Sequence, residues 1–149
     1  MQQTAVKYGI ITGATIVLYL FVFHLINREL VLNPLVYWSP ILVAVVAMTK
    51  AVKKVREDGG GKITQREALK HAFLTFVITY FFFSVFIYLL FNFIDPGLVD
   101  LQKKAMLDAG RKIDGQDFNM TISIVLFQYA YMLIPGFFLS YMVASFMKK

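Results

Sequence analysis

Residues 72–94 read AFLTFVITYFFFSVFIYLLFNFI, a run without a single charge. Sixteen of these residues are Leu, Ile, Val or Phe. At about −0.3 to −0.6 kcal/mol each near a bilayer centre, they favour insertion by roughly 5–10 kcal/mol as an upper bound. Such a segment belongs to a membrane-spanning helix.

Composition agrees. The chain has 149 residues, enough for one domain, and is 58% hydrophobic and 16% charged, against about 45–50% and 25% in soluble domains. Fifteen Phe and eight Tyr are too many to hide in so small a globule. With no cysteine, disulfides and thiolate metal sites are excluded. His24 and His71 lie in separate segments without metal-ligand spacing.

Three further apolar segments accompany the first. Residues 8–26 carry only His24 and span about 28 Å as a helix, close to the ~30 Å hydrocarbon core. The run exceeds a signal-peptide core of about 7–15 residues, and no small-residue cleavage site precedes Arg28, so a retained helix is expected. Residues 35–51 are shorter and carry Pro40, with Pro34 just before. They span if Lys50 snorkels to the interface, with Tyr37 and Trp38 in the aromatic belt opposite. A re-entrant hairpin is the other reading of that segment. Residues 118–147 are uncharged and too long to cross straight, so the pair Pro135-Gly136 is expected as a hinge.

Four spans put both termini on one side. The termini and middle loop hold Lys7, Lys50, Lys53, Lys54, Arg56, Lys62, Arg66, Lys70, Lys148 and Lys149; the other side holds Arg28, Lys103, Lys104, Arg111 and Lys112. The excess predicts termini inside. Topology and attraction to anionic headgroups account for the net charge of +6, and no nucleic-acid partner is needed.

The stretch REDGGGKIT, residues 56–64, invites a phosphate-loop reading. That motif needs a glycine where Arg56 stands and a hydroxyl where Ile63 stands, with a strand before it. No nucleotide is therefore expected. The glycines reverse the chain, and Thr64 with Glu67 forms a capping box that opens the third helix, each side chain bonding the other's backbone amide.

YGIITGA near the start, DGGGKITQREALKHAFLTFVI in the middle and FNFIDPGLVDL after it resemble an uncharacterised bacterial family of four-span membrane proteins, domain-of-unknown-function family 4199. The resemblance covers most of the chain. It implies a four-helix protein of the bacterial cytoplasmic (inner) membrane, and it brings no catalytic residues.

Polar residues inside the spans are the remaining clue, because they are costly in lipid. Tyr80, Ser84, Tyr88 and Asn92 recur every four residues on the third helix. Tyr8, Thr12, Thr15 and Tyr19 line the first, and Thr121, Gln128 and Tyr131 mark the fourth. A polar bundle interior made of Thr12, Tyr19, Tyr80, Ser84, Tyr88, Gln128 and Tyr131 is expected. Interhelical hydrogen bonding or a small ligand cavity would each account for it. No Asp, Glu or Arg lies deep in a span, which argues against proton relays and ion-coupled transport. Ala5, Gly9 and Gly13 form a small-residue face for close helix packing, within the bundle or against a partner.

The outer loop is expected to hold an amphipathic helix over about 96–110, with Asp95 as N-cap and Pro96 at its first position. Leu98, Leu101, Ala105, Met106 and Ala109 face away from Asp100, Lys103, Lys104 and Asp108.

The expected architecture is an all-α integral membrane protein. It has four transmembrane helices, both termini inside, and an amphipathic helix outside between the third and fourth. No catalytic constellation, metal site or cofactor site is found. The leading functional reading is a non-enzymatic accessory or scaffolding subunit of a membrane assembly, a homodimer or bound to another membrane protein. The alternative is a lipid or small-molecule binding or transport protein that uses the polar interior.

Overall fold

The structure, a computed structural model, describes residues 2–32, 34–110 and 121–147. Among them every regular element is helical. These are α1 (Gln2–Ile26), a 3-10 turn (Arg28–Leu32), α2 (Pro34–Trp38), α3 (Pro40–Asp58), α4 (Gln65–Leu89) running into a π turn (Leu90–Ile94), α5 (Leu98–Asp108) and α6 (Ile122–Met147). Among the described residues three stretches are long and apolar enough to cross a membrane: Gln3–Ile26, Gln65–Ile94 and Ile122–Met147.

α4 is the centre. Thr64 caps it, its hydroxyl accepting from the Glu67 amide at 3.2 Å. The expected return bond from the Glu67 carboxylate is not among the bonds of the described residues; that side chain is exposed and left to solvent. Before the cap, Gly60 and Gly61 take φ of +81° and +87°, which only glycine adopts without strain.

Contacts along the helices fix their directions. Ala5 meets Thr75, Gly9 meets Thr79 and Gly13 meets Phe82, so α1 lies parallel to α4. Gln65 bonds Ser145, Phe73 meets Phe137 edge to face and Tyr129 bonds the Val77 carbonyl, so α6 runs antiparallel to it. α3 packs between them in the return direction, from Tyr19–Ser39 at one end to Arg56–Met147 at the other. The start of α1, the 59–64 turn and the end of α6 thus share a basic end. The end of α1, α2, α5 and the start of α6 share the opposite end.

The segment expected as one helix over 35–51 is divided. Pro40 has no N–H for the Val36 carbonyl; the Ser39 hydroxyl donates to that oxygen instead, at 2.9 Å, and accepts from Tyr19 at 2.8 Å. α3 then continues past the expected end to Asp58. Ala44, Ala47, Met48, Ala51, Val52 and Val55 face the core while Lys50, Lys53 and Lys54 point out. Those lysines keep α3 from matching the other three in apolarity.

α5 begins at Leu98 with Gly97 as its N-cap and no side-chain capping bond, correcting the expected Asp95 cap. It ends at Asp108 with Ala109 as C-cap, and Gly110 follows with φ +78°; Arg111 and Lys112 lie outside the described residues. α6 begins at Ile122, residues 118–120 also lying outside. It remains helical through Pro135.

Candidate functional site: a polar clasp and an exposed groove

Where α1 ends, three polar side chains meet. The π turn at the end of α4, closed by the Asp95 amide on the Leu90 carbonyl at 2.8 Å, adds a residue to the turn and aims Asp95 at α1. His24 Nε2 donates to Asp95 Oδ2 at 3.0 Å. Arg28 Nε donates to the same oxygen at 2.8 Å, and Arg28 Nη2 bonds Oδ1. The pair is therefore bidentate, the strong geometry for guanidinium and carboxylate. An ionised carboxylate only accepts, so the His24 proton sits on Nε2. This leaves Nδ1 buried and without a partner among the described residues.

Space at the clasp is made by Gly97, where a Cβ would lie 2.6 Å from Arg28 Nη2. Burial pushes the Asp95 carboxyl up in pKa, but the hydrogen bonds from His24 and Arg28 and the nearby positive charge outweigh it. The carboxyl is held below its ordinary value. The clasp joins the end of α1, the 3-10 turn and the α4–α5 junction. Among the described residues no hydroxyl bonds His24, and no group of three His, Asp or Glu could hold a metal.

The expected polar interior is only partly inside. Thr12 and Tyr80 are buried, and Tyr19, Ser84 and Tyr88 are half-buried. Gln128 is exposed, and Tyr131 is 65% exposed. α6 turns Val125, Gly136, Ser140, Val143 and Ala144 inward instead, because its small residues allow close approach to α4. The crevice lined by Tyr80, Ser84 and Gln128 holds about 20 Å3, room for one water and no substrate.

Besides Thr12 and Tyr80, further polar groups are buried. Thr75 and Thr79 donate to the carbonyls of His71 and Thr75 in their own helix at 2.8 Å each. At 3.5 Å their hydroxyls also approach the Ala5 and Gly9 carbonyls of α1. Ser140 donates to the Gly136 carbonyl at 2.7 Å. The His71-Thr75-Thr79 spacing was visible in sequence, but so was Tyr80-Ser84-Tyr88, and spacing alone does not choose between faces. Ala68 and Ala72, both fully buried, were the deciding signal, since small residues mark the close-packed side of α4.

Ala5, Gly9 and Gly13 pack within the chain. A Cβ at Gly9 would sit 2.7 Å from Ile78 Cβ, and one at Gly13 2.8 Å from Phe82 Cβ. Gly136 serves α4 in the same way: its Cβ would lie 2.1 Å from Phe76 Cε1.

Two grooves flank the α4–α6 seam. One, of about 300 Å3, is lined by Trp38, Phe83, Phe127, Gln128, Tyr131 and Met132. The other, of about 270 Å3, runs along Phe81, Val85, Leu126 and Tyr129 with no exposed polar surface.

Comparison with curated proteins and with solved structures finds no match. A family model does match, over residues 7–149, nearly the whole chain. The chain belongs to that family, described as "Protein of unknown function (DUF4199)".

Proposed function

We propose that this is a non-enzymatic accessory or scaffolding subunit of a membrane assembly, built as a four-span bundle in the bacterial cytoplasmic membrane with both termini inside. The observation that carries the functional reading is how α5 is held. Its first turn is anchored by the buried Leu98 and Val99 with Leu101 against the core, Gln102 and Met106 are half-buried, and the clasp fixes the turn that leads into it. Asp100, Lys104, Leu107 and Asp108 are exposed, Leu107 at 56%. A short helix held at its root, with one face against the bundle and the other exposed, suits recognition of another protein outside the bilayer.

The four-span reading has its own support. α1 and α4 are parallel neighbours, and α3 is the segment between them that runs back. Its outward lysines reach the basic interface by snorkelling. Among the described residues the basic end carries eight Lys or Arg (Lys7, Lys50, Lys53, Lys54, Arg56, Lys62, Arg66 and Lys70) and the clasp end three (Arg28, Lys103 and Lys104). That asymmetry favours termini inside. Gln128 and Tyr131 face outward, which favours the scaffold reading over transport through a polar interior.

A photo-crosslinking residue at Leu107, in native membranes, tests the role. We expect one discrete protein adduct, absent when the same group replaces Phe138 on the lipid-facing side of α6, and weakened in Asp95→Ala. Labelling at Leu107 of lipid and water alone would overturn the scaffold reading.

A further inference from the structure

We propose that the groove between α2, α4 and α6 is a glycerolipid site: one acyl chain lies along Phe83, Phe127 and Met132, and its ester carbonyl accepts from the Gln128 amide. The site is separate from α5 and does not depend on the scaffold role.

Gln128 raises the question. Its amide offers two donors and an acceptor, and it stands on an exposed face of a membrane-spanning helix. Among the described residues none hydrogen-bonds it. A polar side chain left in hydrocarbon is costly and acquires a partner. Its position says which partner. Gln128 is six residues into α6, about 9 Å from its start. With the helix starting at headgroup level, that depth lies near the top of the hydrocarbon core, where ester carbonyls sit. Trp38 at the groove mouth, from α2, matches a side chain of the interfacial belt.

The shape of the surface separates a lipid from a second copy of the chain. Close helix pairing in membranes uses small residues at the contact. On α6, Gly136, Ser140 and Ala144 are turned inward, while Phe127, Tyr131, Phe138 and Tyr141 are exposed. A concave strip of about 300 Å3 between bulky aromatics is at the lower end of ligand-pocket volumes of roughly 300–1,000 Å3. It accepts a flexible chain better than a helix. The 270 Å3 groove on the other flank exposes no polar surface, so ordinary bilayer chains satisfy it.

Trp38 is the only tryptophan of the chain, which makes the test direct. The intact protein is reconstituted in ether-linked phosphatidylcholine vesicles, and Trp38 fluorescence is titrated with phosphatidylcholine brominated on its acyl chains, in ester-linked or ether-linked form. The ester form is expected to quench at mole fractions about threefold lower, the ratio that one membrane hydrogen bond supplies. Gln128→Leu should abolish the difference. Equal quenching by both forms in the unsubstituted chain would overturn the proposal without reliance on any variant. So would a difference that survives Gln128→Leu. Disulfide-linked dimers of Gln128→Cys in the same vesicles would also overturn it, assigning the groove to a second copy; the chain has no other cysteine to confuse the result.

Discussion

Gly136→Val is expected to destabilise the protein by about 3 kcal/mol, the upper part of the range for overpacking a core. A Cβ at this position would meet three atoms of the Phe76 ring at 2.1, 2.4 and 2.7 Å. The ring has nowhere to go, being fully buried and stacked on Tyr80 with centroids 4.5 Å apart. The sign of the smaller change is just as telling. Gly→Ala inside a helix ordinarily gains about 0.5–1 kcal/mol, but Gly136→Ala should destabilise, because the Cβ itself makes the clash. Thermal unfolding in detergent, followed by loss of the monodisperse peak in size-exclusion chromatography, measures both. Phe76→Ala should relieve Gly136→Val, so the double variant should be less destabilised than the sum of the single ones by about 1–3 kcal/mol. Strict additivity would mean that the two residues do not share the contact.

That contact also explains how far the sequence could be read. Uncharged runs and the capping threonine located α1, α4 and α6, because insertion depends on summed hydrophobicity and helix starts on local hydrogen bonding. Orientation about each axis was harder. In lipid, Phe and Leu are as comfortable outside as inside, so apolar periodicity carries little information. The polar stripe expected from Gln128 and Tyr131 pointed the wrong way for that reason, while Gly9 and Gly13 pointed the right way; Gly136, expected as part of a hinge, packs on Phe76. The clasp was illegible for a different reason. His24, Arg28 and Asp95 are brought together by the parallel packing of α1 and α4 and by a π turn, and neither leaves a local signature. Asp95-Pro96 looked like a helix cap because an acid before proline is usually local; here its carboxylate is taken by a residue 67 positions away.

Removing that carboxylate gives the second large effect. Asp95→Ala leaves Arg28 without its bidentate partner and His24 Nε2 without its acceptor. Breaking a buried pair costs about 3–5 kcal/mol and an exposed one about 0.2–1 kcal/mol. Asp95 is 15% exposed but Arg28 is 47% exposed, so solvent screens much of the loss and about 2 kcal/mol is expected. The damage should be local. α1 and α4 still pack through Gly9 and Gly13, whereas α5 loses the turn that positions it. A spin label on Leu107→Cys should therefore become more mobile in Asp95→Ala while one on Val85→Cys stays unchanged. Acid should reproduce the substitution. The folded carboxyl titrates below its ordinary value, so the clasp's contribution is complete above about pH 4, the unfolded range. It is lost as pH falls through the lower folded value. The Leu107 label should loosen in that acid window in the parent chain and remain flat in Asp95→Ala, whose clasp is already open. Equal acid loosening in both would place the titrating group elsewhere and remove Asp95 as the residue that holds α5.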